Sequence, residues 1–299
     1  MVRNGHQNGK QRWLCRSCGR VLMHSSSVST EDILSLYNTG RYSAKDIADR
    51  LGISERTVFR RLSSAPQDSE YRDTDARHVV VLMDASYWGR NFGVVIIKDN
   101  ITGRVLWYKF IGSREKTDDY AEGIEWLVDH GYAITGIVSD GFKGLRERFK
   151  EYKFQHCQFH QILYVRGKLT NNPKTPAAIE LLALVKTMCH TDKESFVGAF
   201  EEWEKRWSEF LKEKSLRDDG KATYRHKRLR SAWLSVKHNM KWLWTFYDYP
   251  ELGLPNTNNA MEGLNSAIKE KLGRHRGLSM ERRKVLITEI IKGHKPKRT

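Results

Sequence analysis

Two short apolar runs, His78-Val-Val-Val-Leu-Met-Asp84 and Ile134-Thr-Gly-Ile-Val-Ser-Asp140, each climb through strand-forming residues and stop on an aspartate. No other feature narrows the possible folds as much. Continuous β-branched runs of this length read as strands buried on both faces, and such strands belong to sheets covered by helices. A carboxylate at the end of a strand of that kind faces a crevice beyond the sheet, where its charge needs compensation. The stretch between the two aspartates contains Phe92-Gly-Val-Val-Ile-Ile-Lys-Asp99 and Arg104-Val-Leu-Trp-Tyr-Lys-Phe110. These are two further strand-like runs, with Asn100-Ile-Thr-Gly103 as the turn between them. Residues 117–130 then carry Tyr120, Ile124, Leu127 and Val128 at helical spacing.

Beyond Asp140 the pattern predicts a helix over 142–149 and a short strand over 154–157. With the first three strands as an antiparallel meander, the order strand–strand–strand–helix–strand–helix–strand is that of the ribonuclease-H-like fold. The expected class is therefore α/β, a mixed-sheet core. From Pro176 to about Met240 the pattern is wholly helical, with Trp203, Trp207, Trp233, Trp242 and Trp244 at helix-compatible positions, mostly for core packing. It predicts an all-helical insertion over 171–250, with the core divided into 78–170 and 251–299. A chain of 299 residues, 39% hydrophobic and 29% charged, has enough apolar material for such a core and one or two smaller domains. Apolar runs such as Val79–Met83 fall far short of the roughly 18 to 20 residues needed to span a bilayer, and Met1-Val-Arg-Asn-Gly opens no apolar leader. Four cysteines are too few for a disulfide scaffold. A cytoplasmic, nucleoid-associated protein without membrane contact is expected.

The front of the chain has two parts. Residues 1–25 resemble half a zinc ribbon: Cys15-x-x-Cys18 closed by Gly19, with only His6 and His24 as further soft ligands in reach. Two thiolates alone hold zinc weakly, so no zinc equivalent is expected, and the segment is predicted to be mobile or held by packing. Residues 26–64 read as a helix-turn-helix. Ser29-x-x-Asp32 caps a first helix with Ile33, Leu34, Leu36 and Tyr37 inward and Gly40 at its end. Ser43-x-x-Asp46 caps a second with Ile47, Ala48 and Leu51, and Gly52 makes the turn. Ser54 caps a third, in which Val58 and Leu62 face in while Arg56 and Arg60 face out beside Arg61. Residues 65–77, polar and containing Pro66, read as a linker.

Charge supports a polyanionic partner. The 52 basic and 36 acidic residues leave +16, unevenly distributed: +6 over residues 1–64, +2 over 65–262 and +8 over 263–299. Arg225-His-Lys-Arg-Leu-Arg230, through Arg228 and Arg230, and the tail from Lys269 through Arg274 and Arg276 to Arg298 are candidate phosphate contacts, as is Lys143.

Asp84 and Asp140, on strands that neighbour one another in the proposed fold, can share a hard divalent cation. A pair of such ions needs a third carboxylate, and Glu262 in Asn256-Thr-Asn-Asn-Ala-Met-Glu-Gly-Leu-Asn265 is the candidate. Four ordered motifs resemble bacterial insertion-sequence transposases of the Mutator-like type, members of the Asp-Asp-Glu superfamily. They are Leu82-Met-Asp84-Ala-Ser-Tyr-Trp, Val138-Ser-Asp140-Gly-Phe-Lys-Gly-Leu, Cys157-Gln-Phe-His160 and Thr257-Asn-Asn-Ala-Met-Glu262-Gly-Leu-Asn265. The resemblance covers residues 8 to 280 and extends to the helical insertion between the second Asp and the Glu. It implies a DNA transposase with Asp84, Asp140 and Glu262 holding two Mg²⁺ ions, for which Mn²⁺ can substitute. Cys157, His160, Asn259 and Asn265 would support the site. The implied partners are double-stranded DNA, both terminal inverted repeats and target, and a second copy of the chain in a homodimer or higher oligomer. Two other readings stay open: a DNA-binding regulator with an inactive core, and a metal-dependent nuclease that cuts without joining.

Overall fold

A computed structural model describes residues 1–7, 10–23, 28–38, 42–64, 72–89, 91–216, 220–274 and 278–293. The chain divides into two compact units, residues 1–67 with 273–283 and residues 68–272 with 284–299.

The first unit begins with a three-stranded antiparallel sheet, β1 (Val2–Gln7), β2 (Lys10–Leu14) and β3 (Val21–Met23), in that order. This is more regular than the sequence suggests, because backbone pairing rather than apolar content organises it. Cys15 and Cys18 lie on the turn after β2, closed by Gly19 N–H to Cys15 O at 2.8 Å and Cys15 N–H to Arg20 O at 2.9 Å. Hydrogen bonding from Ser17 and around Cys18 lowers the half-buried Cys15 thiol to about 6. His6 is exposed, and His24 lies outside the described residues.

Three helices follow, α1 (Thr30–Asn38), α2 (Ala44–Leu51) and α3 (Glu55–Ser64). Reciprocal Ser–Asp bonds cap the first two: Ser29 with Asp32 at 2.9 and 3.0 Å, Ser43 with Asp46 at 3.2 and 2.8 Å. Gly52 ends α2 at φ 63°, the left-handed conformation that favours glycine. Ile33, Tyr37, Ile47, Ala48, Val58 and Leu62 are buried, while Leu34, Leu36 and Leu51 are only half-buried. Gly40, the expected end of the first helix, lies outside the described residues.

The second unit is built on a five-stranded mixed sheet of β4 (His78–Tyr87), β5 (Gly93–Asp99), β6 (Val105–Ile111), β7 (Ala133–Ser139) and β8 (Lys153–His156). Its order is β6-β5-β4-β7-β8. The first three strands are antiparallel, and β7 and β8 run parallel to β4. This strand order is consistent with a ribonuclease-H-like core. Helix α4 (Thr117–Asp129) covers one face through Tyr120, Ile124 and Leu127, whereas Val128, expected inward, is 48% exposed. The helix comes so close that a Cβ on Gly123 would lie 2.4 Å from Ile97 and 2.6 Å from Trp107.

Several expectations change. Strand β4 runs on to Tyr87, so Asp84 sits inside the strand rather than at its end; hydrogen bonding to β5 continues after pairing with β7 stops at Leu82–Val138. The helix expected over 142–149 shortens to α5 (Leu145–Arg148), because Gly141 and Gly144 turn the chain at φ 80° and 93°. Residues 72–77 are packed rather than linker-like. Arg72 lies 5.2 Å from the Trp107 ring centroid, and Asp73, 4% exposed, pairs with Arg77 at 3.3 Å. Pro66 and the rest of 65–71 lie outside the described residues.

After β8 come α6 (Gln158–Leu169), α7 (Pro176–Thr187) and α8 (Lys193–Lys212). A hairpin of β9 (Lys214–Leu216) and β10 (Ala222–Tyr224) follows, then α9 (Lys227–Leu243) and α10 (Thr245–Asp248). That hairpin corrects the expectation of a wholly helical stretch: its strands satisfy each other's backbone groups with little apolar burial, a pattern that leaves no strand signature. The helices have their own core, including Leu181, Phe196, Phe200, Trp203, Val236 and Trp244. Two helices close the chain, α11 (Asn259–Arg274) and α12 (Met280–Gly293). Along α11 the buried side is Met261, Leu264, Asn265 and Ile268; Ala267 and Leu272, expected against the sheet, are half-buried. Leu286, Ile287, Ile290 and Ile291 of α12 are buried, so the basic C-terminal stretch is partly a packed helix, with Thr288 Oγ1 2.9 Å from the Tyr108 hydroxyl.

Candidate active site

Parallel register sets the two aspartates level. Leu82 pairs with Val138, and two residues further on come Asp84 and Asp140, which period-two alternation places on the face taken by those partners. Asp140 follows the last residue of β7, and Asp84 continues only alongside β5, opposite Ile96. The pairing therefore ends where both carboxylates emerge.

Glu262 is brought to them by long-range bonds that fix the start of α11. Asn258 Nδ2 donates to Met83 O at 3.1 Å, and the Asn258 backbone N–H donates to Cys157 Sγ at 3.1 Å. Lys98, a buried cation on β5, donates to Ala260 O at 2.9 Å. Glu262 stands in the first turn of this helix, its Oε1 4.0 Å from His160 Nε2 at the start of α6. Asn265, one turn on, donates to Asp84 Oδ2 at 2.7 Å. Asp140 Oδ1 accepts from the Phe142 N–H at 2.9 Å and from Ser139 Oγ at 3.2 Å.

A fourth acid joins them. Glu115, half-buried just before α4, accepts from the Tyr120 hydroxyl, and its own backbone N–H donates to Tyr87 Oη at 2.7 Å. Sequence reasoning missed it, because Glu115 ends no strand and sits in the polar run Gly112-Ser-Arg-Glu-Lys. Asn258 was missed as well. It is fully buried, whereas Asn259, singled out from the motif, is exposed.

The electrostatics follow from this crowding. Burial lifts the Asp84 carboxyl to about 7, with repulsion from Asp140, Glu115 and Glu262 adding to the rise. Glu115 is also raised, first by burial and then by Asp140. Among the described residues His160 is the one cation-capable side chain within 4.0 Å of any of the four. Cys157 is completely buried, its thiol pushed up to about 11 chiefly by burial, so it anchors Asn258 as a neutral thiol. His156, 5% exposed on β8, is lowered to about 3 by burial and by Arg146.

Crowded oxygen donors short of positive charge fit a hard divalent cation. In the arrangement of the described residues no three His, Cys, Asp or Glu side chains converge closely enough to enclose one. Asp84 is turned to Asn265 and Asp140 to the Phe142 backbone.

The candidate DNA contacts are scattered. Arg56 and Arg60 are exposed on α3, while Arg61 is half-buried with its guanidinium 3.4 Å from Thr30 Oγ1. Lys143, Lys269 and Arg274 are exposed; Arg276 lies outside the described residues. Arg228 is exposed and donates to Gly167 O at 3.1 Å, and Arg230 donates to Leu211 O at 2.7 Å and stacks 3.5 Å from the Tyr224 ring centroid.

No protein-family model and no curated protein matches this sequence. Among solved structures the chain is similar to the crystal structure of the large terminase nuclease from thermophilic phage G20c. Identity is 12% and the TM-score 0.21, over 56% of this chain and 85% of that one. No helix among the described residues is long and apolar enough to cross a membrane.

Proposed function

We propose that this chain is a metal-dependent DNA strand-cleaving and strand-transferring enzyme, a transposase of the Mutator-like type. One observation carries the reading: Asp84, Asp140 and Glu262, from three elements far apart in sequence, are close enough for the last two to raise the first. They do so beyond the end of the β4–β7 pairing, in the interior of the mixed sheet. Asp84, Asp140 and Glu262 would hold two Mg²⁺ ions, or Mn²⁺ in their place, which when bound supply an activated attacking oxygen and a stabilised leaving oxygen. The chain's own part is to hold these carboxylates together and aimed. Asn265 orients Asp84, the Phe142 N–H orients Asp140, and the bonds from Lys98 and Asn258 fix the helix that carries Glu262. The three-helix segment, with Arg56 and Arg60 outward, fits a helix-turn-helix that reads duplex ends, and the chain would act as a homodimer or higher oligomer on DNA.

The test is incubation of the full chain with labelled terminal-repeat duplex and Mg²⁺, following cleavage and joining separately. Asp84→Ala, Asp140→Ala and Glu262→Ala should each abolish both reactions and leave end binding within about twofold of wild type, since docking uses other residues. Cleavage without joining would assign the chain as a nuclease instead. Tight end binding with neither reaction would make it a regulator.

A further inference from the structure

Next to the acid cluster, Asp140 and Gly141 open onto a cavity of about 730 Å³ between α6 and α9. Its other walls are cationic and aromatic, with Arg146, Lys227, Arg230, Tyr164 and Tyr224 among them. A second cavity of about 670 Å³ shares Tyr224 and Lys227 with the first and adds Lys168, Lys174 and Arg228. The two form one path leading away from Asp140. Among the described residues none of these six cations is within 4.0 Å of a carboxylate, in contrast to Arg225, which pairs with Glu213 at 3.6 Å. The path thus has positive charge with no carboxylate against it, beside acids whose one cation-capable neighbour is His160.

The aromatic side chains are placed to take bases. Tyr164, on α6, and Tyr224, on β10, are 43% and 39% exposed, large rings left in the open while the tryptophans of the neighbouring α8 and α9 are buried or half-buried. Arg230 lies 3.5 Å from the Tyr224 centroid and Lys168 5.1 Å from that of Tyr164, so each ring has a cation beside it to meet a backbone phosphate. Arg146 is prearranged: it donates to Asn239 Oδ1 at 2.6 Å, Asn239 donates to Gln161 Oε1 at 2.7 Å, and the guanidinium sits 4.1 Å from the Trp242 ring centroid. His156, almost fully buried, lines the first cavity with its ring Nδ1 unpartnered.

We propose that this path is a track for single-stranded DNA, along which the strand being processed at Asp84, Asp140 and Glu262 is led over Tyr164 and Tyr224. Phosphates meet Lys227, Arg230 and Lys168, and bases stack on the two rings. Cavities of this size lie in the range that takes small ligands, about 300–1,000 Å³, which is room for unstacked nucleotides. The proposal rests on the reading of the acid cluster as a DNA-processing centre.

The experiment is fluorescence anisotropy of the full chain with a labelled twelve-residue oligothymidine in EDTA, so that binding is read without catalysis. Tyr224→Ala and Tyr164→Ala should each weaken binding about 5- to 150-fold, the range for loss of one stacked base. Tyr224→Phe, which keeps the ring, should restore it. Lys227→Ala should reduce the slope of log K against log salt by about 0.7, one single-strand phosphate contact. Wild-type affinity in both tyrosine-to-alanine variants overturns the track, as does an equal loss of duplex and single-strand affinity. If the tyrosine dependence holds but wild-type protein with Mg²⁺ cleaves no DNA, the track stands and the catalytic reading fails.

Discussion

Asp84 shows how one residue's surroundings decide its chemistry. An ordinary aspartate titrates near 3.8; here burial first, then Asp140, Glu115 and Glu262, move it to about 7. In metal-free protein the folded state therefore keeps a proton between these values that the unfolded chain has lost. The stability contributed by this group is full below about pH 4 and declines as pH rises through 7. The melting midpoint in EDTA should fall between pH 5 and pH 8, and Asp84→Asn should shrink that fall. Mg²⁺ at pH 8 should raise the wild-type midpoint more than that of Asp84→Asn. Parallel profiles for the two proteins, with and without the ion, would exclude Asp84 as the origin of the effect. The aspartates were legible in the sequence because each belongs to an apolar run. Glu115 and Asn258 were not, because their importance comes from bonds to Tyr120 and Met83 that no local pattern records.

At the level of elements, two glycines flank the acids with opposite requirements. Gly141 follows Asp140 at φ 80°, and a Cβ there would lie 2.1 Å from the His156 ring. Gly141→Ala should cost about 1–3 kcal/mol from the backbone alone, with the clash added. Gly263, next to Glu262 inside α11, has nothing within 4 Å of an added Cβ. Gly263→Ala should raise stability by about 0.5–1 kcal/mol. Urea unfolding of the two variants checks both signs, and a neutral Gly141→Ala would mean that the turn after β7 is free to rearrange. In the first unit, Ser43→Ala removes the cap of α2 and should cost about 1 kcal/mol. Caps and glycine turns of this kind are read from sequence because they involve neighbours three or four residues apart. The extension of β4 past Asp84 and the hairpin of β9 and β10 depend on partner strands, and sequence reasoning missed both.

For the whole molecule, the charge of +16 predicts salt-sensitive binding to DNA, with different residues controlling different quantities. If the exposed arginines of α3 make bidentate base contacts, Arg56→Ala or Arg60→Ala should reduce discrimination between terminal and unrelated duplex by about 1–3 kcal/mol. Lys269→Ala should weaken binding to all sequences alike and lower the duplex salt slope by about 0.9. Competition binding across a salt series separates the two, and unchanged discrimination in both arginine variants would remove α3 from recognition. Taken by itself, the amino-acid sequence was enough to determine the five core strands, the three capped helices near the start and the basic ends, because burial periodicity, capping and charge are local properties of a chain. Tertiary structure alone decided that Asp84 and Asp140 stand level, that Lys98 and Asn258 hold the helix bearing Glu262, and that two tyrosines line a cationic path from Asp140. Those outcomes depend on register and on bonds spanning up to 175 residues, and a chain acquires them only when its elements meet.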